Sequence, residues 1–169
     1  MLEMRALIAD EWAFLADIRL IALKDAPHAF LSTYDREWAY AESDWRAEFG
    51  RGEWTIAYQQ GKAVGLLGAT RDATAEPGRY YLEYLWVSPE SRRCAVASGL
   101  LDALLARLQR RGVPAVWLWI LNRNESARRF YENHGFALTG IRQPVAHSAA
   151  CYEELMYRPL VMSKNRLDS

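Results

Sequence analysis

The chain has 169 residues, 51% of them hydrophobic and 25% charged, the length and balance of one compact domain with its own core. Its net charge is zero and its pI is about 6.8, which argues against a general nucleic-acid footprint. Cys94 and Cys151 are too few and too far apart for a disulfide framework, and no signal-peptide series opens the chain. No apolar run approaches the roughly 18 residues of a membrane helix, so a soluble, cytoplasmic protein with no membrane or nucleic-acid partner is expected. Charge is unevenly spread: residues 92–129 hold eight arginines against Asp102 and Glu125, +6, and residues 1–91 carry the balancing −6. That dipolar layout suits a small polyanion held in the second half, although Arg107, Arg110 and Arg111 read as the charged outer face of a helix.

In chain order, residues 2–7 form a short strand, and residues 10–24 a helix with an apolar stripe of Trp12, Leu15, Ile18, Leu20 and Ile21. Residues 34–49 are helical in two pieces. Residues 53–59 and 62–70 make a hairpin about Gln60-Gly61, and residues 79–87 a third strand. The period then changes: Val96, Leu100, Leu101, Leu104, Leu105 and Leu108 recur at helical spacing up to Gly112. Residues 115–121 read as a buried strand, residues 125–134 as a helix, and residues 136–141 and 152–157 as a closing pair of strands. An antiparallel meander followed by strand, helix, strand predicts a mixed α/β sheet of about six to seven strands, with helices on both faces. Residues 1–160 count as a single domain and residues 161–169 as a polar tail; residues 72–79 and 143–150 read as loops.

The chemistry concentrates in Tyr81-Leu82-Glu83-Tyr84-Leu85-Trp86-Val87-Ser88-Pro89, which runs through a turn into Arg92-Arg93-Cys94-Ala95-Val96-Ala97-Ser98-Gly99. A strand that feeds small residues at a helix start points unpaired N–H donors and a positive dipole end at one spot, where phosphates bind. Here the chain resembles the GCN5-related N-acetyltransferase (GNAT) family, whose diphosphate motif is Arg/Gln-x-x-Gly-x-Gly/Ala after a strand ending in Val-x-Pro. Ala95 stands where the family usually has glycine, and Arg93 replaces a second, commonly seen glycine. If Ala95 needs positive φ, the turn is strained; if it is helical, its methyl costs little. A second segment, Asn124-Glu125-Ser126-Ala127-Arg128-Arg129-Phe130-Tyr131-Glu132-Asn133-His134-Gly135-Phe136, is similar to the family's Asn-x-x-Ala-x-x-Phe-Tyr-x-x-x-Gly-Phe run. Both lie between residues 82 and 136, and the front third matches by layout alone.

The resemblance implies a mostly antiparallel sheet with a splayed parallel pair, residues 82–87 and 115–121, that takes acetyl-CoA and passes the acetyl group directly to an amine. It places pantetheine along Leu85, Trp86 and Val87, and the diphosphate on Arg92, Arg93, Cys94, Ala95, Val96, Ala97, Ser98 and Gly99. Asn124 and Ala127 fall at the cofactor's arm, and Tyr131 at the position of the acid that protonates the departing thiolate. An alkyl ammonium has a pKa of about 10.4, so the acceptor needs a base. Glu83, on one strand face with Tyr81, Leu85 and Val87, reads as the sole carboxylate among apolar and aromatic residues; a solvent-facing Glu is the equal alternative. The acceptor is a small-molecule amine, a protein lysine or a protein N-terminus, and the protein a monomer or homodimer. A catalytically degenerate acyl-CoA sensor is the rival reading.

His28, His134 and His147 lack partners at metal-ligand spacing, so no metal site is expected. Cys94 reads as a small filler in the turn, Cys151 as a packed thiol, and Trp117 and Trp119 as one strand face packed on a helix. Trp12, Phe30, Tyr34, Trp38, Tyr40 and Trp45 read as core. Phe30, with residues 27–31, also falls in the loop that borders the acceptor in the family, and the acidic surplus of the front half favours a cationic amine acceptor.

Overall fold

A computed structural model describes residues 1–71, 79–145 and 148–160, with the backbone alone at 148 and 149. The tail expected at 161–169, most of the loop expected at 72–79, and His147 lie outside these residues. The elements are β1 (Leu2–Ala6), α1 (Trp12–Asp25), α2 (Tyr34–Trp38), α3 (Glu42–Gly50), β2 (Gly52–Gln59), β3 (Lys62–Arg71), β4 (Tyr80–Val87), α4 (Val96–Arg110), β5 (Ala115–Leu121), α5 (Glu125–Asn133), β6 (Ala137–Val145) and β7 (Ser148–Pro159). The strands hydrogen-bond in the order β1-β2-β3-β4-β5-β7-β6, a mixed sheet with one parallel pair, β4 with β5. The contacts divide into two units, residues 1–71 with 83–107 and residues 72–82 with 108–169, so β4 and α4 each contribute to both.

In the first unit β1, β2 and β3 run antiparallel, with Met4 opposite Ala57 and Ile56 opposite Leu66. The β2–β3 turn places both Gln60 (φ 51°) and Gly61 (φ 75°) in the left-handed region, the backbone of a tight hairpin. Leu15, Ile18 and Ala22 of α1 pack with Trp54, Ile56, Leu66 and Trp86 into one buried cluster. The helical periodicity of α4 puts Val96, Leu100, Leu101, Leu104, Leu105 and Leu108 inside, each at most 4% exposed.

The face of α1 differs from the one its apolar stripe suggests. Ile21 is 55% exposed, whereas Arg19 is buried and makes two 2.9 Å hydrogen bonds to the Glu37 carboxylate. Its guanidinium carbon lies 3.7 Å from the Tyr84 ring centroid and 4.5 Å from that of Phe30. A buried arginine is tolerated when a carboxylate and aromatic faces replace its water. Arg107 also departs from expectation: it is not on an outer face but bonds Glu53 at 2.8 Å and Thr55 at 2.9 Å.

In the second unit β5 pairs antiparallel with β7, and β7 with β6. Val116, Leu118 and Ile120 form the buried face of β5, at most 5% exposed, while Trp117, Trp119 and Leu121 alternate with them on a half-buried face. The Trp117 ring lies 5.4 Å from that of Tyr157 and 4.4 Å from the Arg79 guanidinium. Among the described residues no helix is long and apolar enough to cross a membrane.

Candidate active site

The link from β4 to α4 begins as a 3-10 turn at Pro89–Ser91, and Ser91 Oγ donates to Gln59 at 3.1 Å. Arg92 folds back: its Nε donates to the Val87 carbonyl at 3.0 Å and its Nη2 to Asp25 at the end of α1. Asp25 also accepts from Trp86 Nε1 at 2.8 Å, so the start of the turn is tied to both β4 and α1. Arg93 (φ 62°) and Ala95 (φ 58°) then both adopt the left-handed conformation. These are the two positions where glycine is expected, so the backbone keeps the glycine conformation without glycine, and the strained alternative for Ala95 is the observed one.

Left-handed residues that alternate with ordinary ones curl successive N–H groups towards a common concave side, an arrangement that holds anions. Val96 and Ala97 open α4 directly afterwards, so their N–H groups precede the first intrahelical acceptors. Cys94 is exposed in this turn. Gly99 has a different place from the one expected. Its N–H is spent on Ala95 O at 2.9 Å, and a Cβ there would lie 2.4 Å from Met4 Cε, so its smallness serves packing of α4 on β1.

Midway along β4 the strand bulges at Tyr84, whose φ is 64°. The recorded parallel ladder joins Tyr80 to Val116 and Tyr81 to Trp117 only. Beyond it, Glu83 bonds Arg51, Tyr84 bonds Glu48 and Trp86 bonds Asp25, so these three side chains all reach residues of α1, α3 and the α3–β2 link. The bulge thus breaks the alternation that would have grouped Glu83 with Leu85 and Val87. Tyr84 is held on several sides: Oη donates to Glu48 at 2.6 Å, Trp54 stacks at 5.3 Å, and Arg19 covers the ring. Burial, and then the Glu48 charge, push the Tyr84 phenol far above its ordinary range, so it stays protonated.

Glu83 is not a sole carboxylate among apolar groups. Arg51 Nη2 donates to it at 2.8 Å, and the same guanidinium binds Glu48 at 2.7 and 2.8 Å. Burial pulls the Arg51 pKa down, but the Glu48 hydrogen bond and the Glu83 and Glu48 charges outweigh it and hold it above its usual value. The sequence carries no local signal for this cluster, because its members come from different elements.

In the second unit Asn124 caps α5, its Oδ1 accepting from Ala127 N at 3.1 Å. That bond commits the side-chain oxygen of Asn124 and the amide of Ala127 to the helix. Tyr131 is buried, with its ring edge-on to Phe130 at 5.2 Å and Phe136 at 5.4 Å. Burial raises its phenol pKa well above the ordinary value, which keeps the hydroxyl proton in place. No group of three or more histidine, cysteine, aspartate or glutamate residues suited to a metal occurs among the described residues.

A seven-stranded mixed sheet with one short parallel pair, a bulged β4 and a left-handed turn into α4 defines an acyltransferase-type α/β fold. The sequence matches the acetyltransferase (GNAT) family over residues 15–136, and the chain belongs to that family. A GNAT-family acetyltransferase from Desulfovibrio desulfuricans superposes with a TM-score of 0.76 at 14% identity, covering 95% of this chain and 100% of that one. The ribosomal-protein-S18-alanine N-acetyltransferase of Escherichia coli gives a TM-score of 0.70 at 22% identity over 100% of both chains. The PaiA N-acetyltransferase of Thermoplasma acidophilum, solved in complex with coenzyme A, gives 0.68 at 16% identity over 94% of this chain and 99% of that one. At these identities the likeness is one of fold. No match was found among curated protein sequences.

Proposed function

We propose that this protein transfers an acetyl group from acetyl-CoA to a primary amine by direct attack within a ternary complex. The observation that carries the reading is the pair of left-handed residues, Arg93 and Ala95, immediately before α4. Small residues at Ala95, Ala97 and Ser98 leave room for a diphosphate against the N–H groups of the turn, and Arg93 adds a positive charge. Leu85, Trp86 and Val87 follow the bulge and offer backbone groups to an amide-bearing arm. Acetyl-CoA supplies the activated thioester; the chain's residues orient it and move protons.

Tyr131, protonated across the working pH range, gives its proton to the thiolate as it leaves. Asn124, its oxygen committed to the cap, offers its side-chain NH2 to the cofactor's arm. Glu83 takes the proton of the ammonium, through water, although Arg51 competes for the lone pair a base would use. The test is incubation with acetyl-CoA and a panel of primary amines while free thiol is followed. Thiol release that depends on the amine supports the proposal. Thermal stabilisation by acetyl-CoA without amine-dependent release overturns it in favour of an acyl-CoA sensor, and absence of both removes the cofactor.

A further inference from the structure

Two adjacent glutamates on β7 are buried yet differ in what compensates their charge. Glu154 is 7% exposed and faces Arg142 at 3.2 Å and Arg128 at 3.6 Å. Glu153 is 8% exposed and receives a 2.7 Å hydrogen bond from the neutral amide of Gln143 on β6. Among the described residues no arginine, lysine or histidine pairs with it. Burying a carboxylate with no cation costs far more than burying one that is paired, so such a group is retained where a ligand supplies the missing charge.

The register shows which face it occupies. Glu153 is opposite Leu121, and Trp119 is opposite Leu155, so Glu153 lies on the half-buried face of β5 with Leu121, Trp119 and Trp117. Trp119 is its diagonal neighbour, a separation of about 7–8 Å that an indole spans readily. A buried carboxylate beside an indole is a good receptor for an ammonium group, combining an ion pair with a cation–π face.

We propose that Glu153, with Trp119, binds a positively charged group of the acceptor other than the amine that reacts. The chemistry excludes the reacting amine itself. A buried carboxylate holds an ammonium in its charged form, and an amine must lose its proton to attack. The acceptor class is therefore a diamine, or an amine with a second cationic group. This inference rests on the acetyl-transfer reading for the word acceptor, whereas the cation site stands on the geometry of the second unit alone.

Glu153→Gln keeps the shape and an oxygen for Gln143 but removes the charge. The test compares 1,5-diaminopentane with pentylamine, by thiol release and by thermal unfolding. The wild type is expected to favour the diamine at least tenfold in kcat/KM, and the variant to bring that ratio near unity. Without amine, Glu153→Gln is expected to raise Tm by roughly 2 °C or more, since it relieves an uncompensated charge. The diamine should raise the Tm of the wild type and not that of the variant. A lower Tm for the variant, or an equal response of both proteins to the diamine, overturns the site. Thiol release from pentylamine with no effect of Glu153→Gln keeps acetyl transfer and removes the cation site. A diamine Tm shift abolished by Glu153→Gln, with no thiol release from either amine, keeps the site and removes acetyl transfer.

Discussion

Replacing Ala95 by glycine should stabilise this protein, the reverse of what glycine does inside a right-handed helix. Ala95 sits at φ 58° and Arg93 at φ 62°. A left-handed backbone costs an L-residue about 1–2 kcal/mol, and glycine pays none of it. Glycine gives back about 0.5–1 kcal/mol through the greater freedom of its unfolded chain. The net gain for Ala95→Gly is about 0–1.5 kcal/mol, centred on about 0.75. For a chain of this length 1 kcal/mol moves Tm by about 2–4 °C, so a rise of about 1–4 °C is expected in thermal unfolding followed by circular dichroism. Arg93→Gly should raise Tm similarly but, on the proposed placing of the diphosphate, weaken acetyl-CoA about 2–5-fold in calorimetric titration, since it removes an exposed cation there. A fall in Tm for Ala95→Gly, of the size produced by the roughly 1 kcal/mol that glycine costs in a right-handed helix, would refute the left-handed assignment. Tighter acetyl-CoA binding by Arg93→Gly would refute the placing of the diphosphate.

Further outcomes follow from the same contacts. Tyr131→Phe should lower kcat about 100-fold while the KM for acetyl-CoA changes less than about twofold. Because burial raises the Tyr131 and Tyr84 phenols above their ordinary value of 10.0, folding stability is intact below that pH and declines as pH rises through the folded values; Tyr131→Phe should flatten the decline in alkaline unfolding curves. Glu83→Gln should shift the acidic limb of the pH–rate profile, and an unmoved limb removes Glu83 as the base. Glu37→Gln, which leaves the buried Arg19 without its carboxylate, should cost about 3–5 kcal/mol in urea unfolding, and Arg19→Met with Glu37→Leu should recover most of it. Gly65→Ala should cost about 1–3 kcal/mol and Gly99→Ala less than about 1 in the same assay. The Gly65 methyl would meet Leu100 Cδ1 at 2.9 Å and the Trp86 carbonyl at 3.1 Å, while the Gly99 methyl meets only the pliable end of Met4.

What could be read from residues was local periodicity. The six apolar positions of α4 are all buried, and the bounds of β5 match, because a 3.6-residue or strand-length apolar pattern carries its own burial. What could not be read was tertiary. An arginine on α1 reads as a solvated face until Glu37, Phe30 and Tyr84, each from a different element, are placed around it. The same holds for Arg107, whose partners Glu53 and Thr55 lie 54 and 52 residues away. Strict alternation puts Glu83 on one face with Leu85 and Val87, and a single bulged residue is enough to undo that. Glu153 carries no signal of its own in the sequence, because alternation along β7 says which face a residue takes, not whether a cation lies opposite it.

Among the described residues, Tyr84, Arg93 and Ala95 are three of the five non-glycine residues with positive φ; the other two, Asp10 and Gln60, sit at turns. Each costs about 1–3 kcal/mol and persists only where its surroundings over-determine it. For Tyr84 the restraint is visible in Arg19, Trp54 and Glu48. For the turn it is Arg92, bound to the Val87 carbonyl and to Asp25. Arg19 and Asp25 both belong to α1, which enters the family match only from residue 15 and shows no family motif in its sequence. The front helix therefore anchors both the left-handed residue of β4 and the left-handed turn that precedes α4. A family motif concentrated after residue 82 depends for its backbone shape on side chains some 60 residues earlier, the buried Arg19 and the more open Asp25. Substitutions at Arg19 or Asp25 should accordingly be felt along β4 and the turn before they are felt in the hairpin beside them.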